Sequence, residues 1–183
     1  MTRKAILAGG CFWCTEAIYK RLRGVLDVTP GYSGGEKEHP TYEEVSTGTT
    51  GHAEAILIEY DPTLISYDKL LDIFFHTHNP TTLNRQGADV GTQYRSAVFY
   101  SNNEEKEIVI RVIQELETEK IYPEKIVTEV TPFVHFYPAE DYHRDYYDRN
   151  QKQGYCHIVI SPKIAKLMKE YGRDVKDEFK EIV

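Results

Sequence analysis

The sequence is poor in the features that mark membrane-spanning proteins, secreted disulfide scaffolds and nucleic-acid-binding proteins. Only three of its 183 residues are cysteine, and this small odd number does not make a disulfide framework. No apolar run approaches the ~20 residues that a membrane-spanning helix needs. Its 22 basic residues are outnumbered by 29 acidic ones, which gives a formal net charge of −7. We therefore expect neither nucleic acid nor a membrane surface as a partner.

The first ten residues carry a weak resemblance to a secretion signal, because Ile6-Leu7-Ala8-Gly9-Gly10 ends in small residues before a cysteine. The apolar part is shorter than the ~7–15 residues of a signal core, so we expect no such leader. Thiols without a disulfide framework are typical of a reducing compartment, and we predict a cytoplasmic protein. The length and the hydrophobic fraction of 40% predict one soluble domain, residues 1–183. We expect it to be a monomer.

Strand-like and helix-like segments alternate along the chain. Apolar or alternating runs predict strands at 5–8, from 24, at 53–60, 95–100, 126–130 and 156–160. Helical spacing predicts helices at 15–23, after Ser66, after Asn102, at 141–149 and near the C-terminus. Residues 79–93 show no periodicity, and connections of this length are often functional. The spacing is too irregular for a long parallel sheet, so we predict an α/β fold of the α+β kind, with helices packed on a mixed sheet.

The stretch Gly-Gly-Cys-Phe-Trp-Cys-Thr-Glu at residues 9–16 is the main candidate for chemistry. Cys11 follows a predicted strand and two glycines, so we expect it at the first turn of a helix. Unpaired amide groups and the helix dipole favour a thiolate there and predict a lowered pKa for Cys11. A buried, inert cysteine is the alternative. A second cysteine, Cys14, and the only tryptophan, Trp13, argue against that alternative.

Glu54 is a second candidate because its strand places it on an apolar face. Alternation along residues 53–60 puts Glu54 on the same face as Ile56 and Ile58. A carboxyl on such a face has a raised pKa and can hold a proton at neutral pH. The alternative is an ordinary carboxylate at the rim of the sheet, paired with a lysine.

Several motifs together resemble the peptide methionine sulfoxide reductase A family. They are Gly10-Cys11-Phe12-Trp13, Gly31-Tyr32-Ser33-Gly34-Gly35, Thr41-Tyr42-Glu43-Glu44-Val45, Gly51-His52-Ala53-Glu54, Gly91-Thr92-Gln93-Tyr94-Arg95-Ser96 and the segment from Phe136 to His143. The likeness runs in the family's order from about Ala8 to Lys163. The resemblance implies a two-layer sandwich with a ferredoxin-like core, long loops and a C-terminal extension.

The resemblance also implies an activity and a set of catalytic residues. The family reduces the S epimer of methionine sulfoxide, free or in proteins. Cys11 corresponds to its nucleophile, Glu54 to its acid, and Tyr42 and Tyr94 to donors toward the sulfoxide oxygen. With 14 tyrosines present, ordinary packing is the alternative for either tyrosine. No metal and no prosthetic cofactor is implied, and the reductant is thioredoxin or another dithiol.

Further positions match the family's substrate-binding residues: Phe12, Trp13, Asp89, Tyr146 and Tyr155. Phe12 and Trp13 correspond to an aromatic wall that receives the S-methyl group, with a core position as the alternative for Phe12. Asp89 corresponds to an aspartate near the substrate, with a turn-forming role as its alternative. Tyr147 competes with Tyr146, because the stretch at 151–153 is one residue longer than expected.

The cysteine that recycles Cys11 is left open by the sequence. The family's commonest pattern has glycine where this chain has Cys14. Cys14 is favoured because it lies one turn from Cys11. Cys156 is the alternative, since its segment resembles one that carries a resolving cysteine in many relatives. A relay through both cysteines, or an inert Cys156, also fits the sequence.

Two other functions compete with this interpretation. Cys11 and Cys14 in a C-x-x-C pattern at a helix start are typical of thioredoxin-like disulfide oxidoreductases, but that function leaves Glu54 and Tyr42 without a role. A zinc-binding module would need further cysteine or histidine pairs at metal-binding spacing, which the sequence lacks.

Overall fold

The computed structural model describes residues 1–180, and residues 181–183 of the predicted domain lie outside the described residues. The strands are β1 (Arg3–Gly9), β2 (Val25–Ser33), β3 (Ala53–Tyr60), β4 (Arg85–Gln86), β5 (Asp89–Val90), β6 (Ser96–Tyr100), β7 (Glu129–Pro132) and β8 (Phe136–Pro138). The α-helices are α1 (Phe12–Tyr19), α2 (Tyr42–Ser46), α3 (Tyr67–Thr77), α4 (Asn103–Thr118), α5 (Tyr146–Asn150) and α6 (Ser161–Tyr171).

Six strands form one mixed sheet in the order β7-β6-β1-β3-β2-β8. The β6–β7 pairing is parallel and the other pairings are antiparallel. The chain passes from β1 through α1 to β2, and from β3 through α3 to β6, so each crossover skips one strand. The predicted mixed sheet with packed helices is confirmed.

The two faces of the sheet are covered differently. One face packs against helices α1, α3, α4 and α6 and contributes Leu7, Val28, Ile56, Ile58 and Val98 to the main core. The other face buries a smaller cluster under the segments around Phe133 and Phe136. Within residues 1–180, no helix is both long enough and apolar enough to cross a bilayer.

Several predicted elements differ from the structure. The predicted strand at 156–160 is wrong: Cys156–Ile160 is a π-helical turn that continues into α6. Its buried residues are Cys156 and Ile160, four apart, and a short apolar run does not by itself separate a strand from a helix. The predicted helix at 141–149 is interrupted at Asp145, whose φ is +54°. Residues 79–93 contain the β4–β5 hairpin.

Strand β2 also runs further than predicted, through Pro30 to Ser33. Glycine and proline in this stretch suggested a loop. β8 pairs with residues 31–33 on the side opposite β3, and the Pro30 carbonyl accepts a hydrogen bond from the Ala139 amide. This cross-strand pairing extends β2 against the local preference.

Candidate active site

Cys11 is the residue that immediately precedes α1, at the end of a sharp turn from β1. The turn requires glycine at position 10, where φ is +94° and a Cβ atom would lie 2.6 Å from Gln86 Cγ. Cys11 is 8% exposed, against 1% for Cys14 and 0% for Cys156. Cys11 is therefore the most exposed of the three cysteines.

Glu54 is joined to the start of α1 by a hydrogen bond. Its Oε2 accepts the Phe12 N–H at 3.0 Å, and the side chain is almost completely buried on the helix-covered face of β3. Burial raises the pKa of Glu54 to about 8, although the Phe12 hydrogen bond opposes the rise. The predicted apolar environment and raised pKa of Glu54 are confirmed, so Glu54 carries a proton at neutral pH.

The predicted lowering of the Cys11 pKa is wrong for this reduced structure. Burial, together with Cys14 and Glu54, raises the pKa of Cys11. The first amide of α1, the Phe12 N–H, donates its hydrogen bond to the Glu54 carboxyl. It therefore does not stabilise a thiolate at Cys11. Cys14 carries the lowered pKa, about 7, because Cys11 hydrogen-bonds to it and Lys163 adds positive charge.

Tyr42 and Tyr94 are both near enough to Glu54 and Cys11 for the charges of these two groups to act on the tyrosine pKa values. Tyr42 begins α2, which is held by a capping box between Thr41 and Glu44. Tyr94 ends a 3₁₀ turn at Thr92–Tyr94. Burial, and then the charge that Glu54 acquires once it ionises above its own pKa, raise the pKa of Tyr42 to about 12 and also raise the pKa of Tyr94. Both tyrosines therefore remain protonated donors.

A carboxylate that the sequence reasoning missed fixes this arrangement. Glu140 accepts the Tyr32 hydroxyl on Oε1 and the Tyr42 amide on Oε2, both at 3.0 Å. Burial alone would raise the pKa of Glu140, but these hydrogen bonds lower it. Glu140 belongs to the Phe136–His143 motif, so its presence in that motif is the sequence feature that could have identified it as a site residue.

Trp13 is held by three neighbours from the C-terminal segment. Its ring stacks on Tyr146 with centroids 3.8 Å apart and meets Tyr155 edge-on at 6.0 Å. Its indole N–H donates to His143 Nδ1 at 3.0 Å, which fixes the neutral histidine with its proton on Nε2. Tyr147 is buried with its hydroxyl beside Ser161. Tyr146, and not Tyr147, is therefore the tyrosine stacked on Trp13.

Phe12 is completely buried and packs against the rings of Tyr32, Tyr42 and His143. Its amide is engaged by Glu54, so Phe12 links the acid to the aromatic cluster. A contact between Phe12 and substrate stays a prediction.

On the Cys14 side, the Tyr155 hydroxyl donates to Asp89 Oδ2 at 2.6 Å and lies 3.9 Å from Cys14 Sγ. Asp89 begins β5, so the hairpin in the 79–93 connection carries it to the cysteines. Cys156 lies in the same buried cluster as Cys11 and Cys14. The structure thus brings all three cysteines together.

The glycine-rich motif at 31–35 and the motif at 51–54 are in direct contact through His52. His52 Nδ1 accepts the Gly35 amide at 3.0 Å, and Nε2 lies 2.7 Å from the Lys37 carbonyl. A Cβ at Gly35 would lie 2.5 Å from the His52 backbone nitrogen. His52 therefore ties the loop that precedes α2 to the strand that carries Glu54.

Comparison with known proteins assigns the family. The family model described as peptide methionine sulfoxide reductase matches residues 3–176. The chain belongs to the peptide methionine sulfoxide reductase A family. It is 56% identical over 172 residues to the enzyme MsrA of Saccharolobus solfataricus, covering 94% of this chain and 96% of that relative. The chain is thus an oxidoreductase of the methionine sulfoxide reductase family.

Solved structures agree with this assignment. Reduced Mxr1 of Saccharomyces cerevisiae matches with a TM-score of 0.79 and 35% identity, over 85% of this chain and 89% of that chain. Mxr1 in complex with Trx2 matches with a TM-score of 0.57 and 26% identity, over 79% and 84%. Among the described residues, no group of three or more histidine, cysteine, aspartate or glutamate side chains is arranged to hold a metal ion.

Proposed function

We propose that the chain reduces the S epimer of methionine sulfoxide, free or within oxidised proteins, and so repairs oxidative damage. The contact between Glu54 and the Phe12 amide supports this proposal most, because it holds a protonated carboxyl beside the Cys11 backbone. A sulfoxide sulfur becomes electrophilic only when its oxygen is protonated or strongly hydrogen-bonded. The protonated Glu54 carboxyl can activate the sulfoxide oxygen in this way, and the neighbouring Cys11 thiol supplies the attacking sulfur.

In the first step, the Cys11 sulfur attacks the sulfoxide sulfur while Glu54 gives its proton to the oxygen. Tyr42 and Tyr94 donate hydrogen bonds to the same oxygen, since their raised pKa values keep them protonated. The oxygen passes to Cys11, so the thiol becomes a sulfenic acid and the sulfoxide leaves as methionine. The proton that Cys11 loses replaces the one that Glu54 gave.

The aromatic groups around Trp13 are proposed to bind the S-methyl group. Trp13, Tyr146 and Tyr155 form one continuous set of rings beside Cys11, and sulfur–ring contacts favour a thioether or methyl sulfoxide there. Asp89 acts through Tyr155, which it orients by the 2.6 Å hydrogen bond.

Cys14 is proposed as the resolving cysteine. Its thiolate attacks the Cys11 sulfenic acid, a disulfide forms and water leaves. Cys14 lies three residues from Cys11, and its pKa is lowered in the reduced chain, whereas burial raises the pKa of Cys156. An external dithiol, thioredoxin in this proposal, then reduces the disulfide. The solved complex of the relative Mxr1 with Trx2 supports this choice.

The remaining parts of the proposal concern architecture and setting. Strands β6-β1-β3-β2 with α1 and α3 follow a β-α-β-β-α-β path, which supports a ferredoxin-like core. We propose one domain over 1–183, monomeric and in a reducing cytoplasm, without nucleic acid as a partner.

The deciding experiment compares the two epimers of N-acetylmethionine sulfoxide with dithiothreitol as reductant. The wild-type chain should reduce the S epimer and leave the R epimer, and Cys11→Ser should abolish the activity. Residual activity within tenfold of wild type in Cys11→Ser would remove Cys11 as the nucleophile. Reduction of insulin disulfides without sulfoxide turnover would favour the thioredoxin-like function.

A further inference from the structure

Arg95 lies at the edge of the sheet where the proposed site is built, but on the opposite face. It follows the 3₁₀ turn Thr92–Tyr94 in extended backbone and immediately precedes β6. Alternation along an extended strand puts Arg95 on the face of Ala97 and Phe99, whose side chains belong to the smaller buried cluster. Glu54 lies on the other, helix-covered face. Arg95 therefore does not share a face with the acid that is proposed to protonate the sulfoxide.

The Arg95 guanidinium is almost completely buried, and each of its three nitrogens donates a hydrogen bond. Nη1 donates to the Thr92 carbonyl at 2.9 Å, Nη2 to the Gly51 carbonyl at 2.9 Å, and Nε to Glu129 Oε2 at 3.3 Å. A Cβ atom at Gly34 would lie 2.9 Å from Nη2, so the glycine leaves room for the guanidinium. Because a guanidinium is planar and holds its donors in a rigid fork, these partners have fixed positions relative to one another.

The two carbonyls that Arg95 joins belong to segments that carry three groups of the proposed site. The first carbonyl lies in the turn that ends in Tyr94. The Gly51 carbonyl lies in the loop between α2, which begins at Tyr42, and β3, which carries Glu54. Arg95 therefore connects the turn of one proposed hydrogen-bond donor to the loop between the other donor and the acid.

Two further side chains connect the same segments more weakly. Thr92 Oγ1 donates to the Gly48 carbonyl at 3.3 Å, and Gln93 Nε2 donates to the Ser46 carbonyl at 3.4 Å. Both distances are long for hydrogen bonds between neutral groups. The two Arg95 bonds to carbonyls are 2.9 Å long, and their donor carries a full positive charge. Arg95 therefore provides the strongest of these links.

We propose that Arg95 is a positioning residue for sulfoxide reduction, which holds the Tyr94 hydroxyl at the sulfoxide oxygen beside Glu54 and Tyr42. The proposal rests on the proposed function, because it assumes that Tyr94 donates a hydrogen bond to that oxygen. As the S–O bond breaks, negative charge grows on the oxygen, and a donor stabilises this charge best when it is already in place. Lysine at position 95 keeps the positive charge but lacks the planar fork that joins the two carbonyls.

The test is a double-mutant cycle between Arg95 and Tyr94. The rate of the first turnover of N-acetylmethionine S-sulfoxide is measured against substrate concentration for Arg95→Lys, Tyr94→Phe and the double variant. Each series gives a maximal rate and a half-saturation concentration. Arg111→Lys is the matched control, because Arg111 lies on α4 and pairs with Asp68 and Glu115 at the surface. Thermal unfolding shows whether each variant is folded at the assay temperature.

We expect Arg95→Lys to lower the maximal first-turnover rate about tenfold and to leave the half-saturation concentration within about twofold of wild type. In the Tyr94→Phe background the same substitution should change the rate less than about twofold, because the hydrogen bond that it misplaces is already absent. Arg111→Lys should leave both values as in wild type. An unchanged rate in Arg95→Lys would overturn the positioning role. An equal loss in both backgrounds would also overturn it, since a general structural defect does not depend on the Tyr94 hydroxyl.

Thr92→Val repeats the test with a side chain of nearly the same shape. It removes the hydrogen bond to the Gly48 carbonyl, so the rate should fall about threefold, and this loss should also disappear in the Tyr94→Phe background. If Arg95→Lys does not fold, Thr92→Val decides by the same criterion. A wild-type chain that reduces no S-sulfoxide would overturn the proposed function, and the role of Arg95 with it. With an active wild-type chain, the cycle tests Arg95 alone.

Discussion

The two sides of the α1 start are built from different kinds of structure. Glu54 lies on β3, which is paired along its length with β1 on one side and β2 on the other. Asp89 and Tyr155, beside Cys14, lie on a hairpin of two-residue strands and just before a π-helical turn. A strand inside a sheet resists local opening far better than such short elements do.

This difference matches the two proposed steps. Oxygen transfer needs an acid held in place, and the sheet provides that position. Disulfide formation needs movement, because the Cys14 amide donates to the Cys11 carbonyl at 3.0 Å and this turn has to adjust when the sulfurs join. We infer that the rigid side serves the chemical step and the irregular side serves recycling.

Cys14→Ser should give the largest effect, because it should leave the oxygen-transfer step intact and stop the recycling step. We expect one equivalent of methionine per chain at the wild-type rate and then almost no further turnover, because the thiol proposed to attack the sulfenic acid is missing. Rapid-quench measurement of the first turnover and steady-state assays with thioredoxin check this. Cys156→Ser is the matched control and should continue to turn over. Full turnover in Cys14→Ser with a stall in Cys156→Ser would make Cys156 the resolving cysteine.

Glu54→Gln should affect only the rigid side. The amide keeps the shape but donates no proton, so we expect the single-turnover rate to fall about 10²–10⁴-fold, while substrate affinity changes little. Glu59→Gln on the same strand is the control, since Glu59 is partly exposed and pairs with Lys4. An unchanged rate in Glu54→Gln would remove the acid assignment.

The pH dependence of the first turnover should report the same group. Glu54 is protonated below its pKa of about 8 and loses its proton above it. The rate should therefore be highest below about pH 8 and fall up to tenfold per unit above it. Glu54→Gln should lack this fall. A wild-type rate that continues to rise through pH 9 would contradict a proton-donating Glu54.

The contrast between the two sides also explains which features the sequence predicts. Glu54 lies on a strand with clear alternation, so its face and its raised pKa followed from local pattern. The strand predicted at 156–160 failed because its short apolar run fits either a strand or a helical turn. Local periodicity therefore predicts the side of the site that lies on β3, but it does not predict the side formed by the hairpin and the π-helical turn.

Hydrogen bonds between residues far apart in the chain could not be predicted from local sequence patterns for the same reason. The lowered pKa predicted for Cys11 assumed a free amide at the helix start, and Glu54, 42 residues away from Phe12, occupies that amide. Glu140 reaches Tyr42 across 98 residues. No local pattern encodes such partners, although the family motifs contained both carboxylates.

The smallest expected effect concerns Glu16, which attaches the C-terminal segment to α1. Glu16 is buried, its Oε1 accepts the Asp145 amide at 2.9 Å, and burial raises its pKa to about 7. Because the pKa is higher in the folded chain, the stabilisation is complete below the unfolded pKa near 4.5 and is lost as pH rises through about 7.

Glu16→Gln keeps a hydrogen-bond acceptor for Asp145 but cannot ionise. The melting temperature of the wild-type chain should therefore fall by a few degrees more than that of Glu16→Gln between pH 5 and pH 8. Thermal unfolding across this range measures the difference, and Trp13, the only tryptophan, reports the segment directly through Tyr146. Equal pH profiles for the two proteins would show that Glu16 does not couple the irregular side of the site to pH.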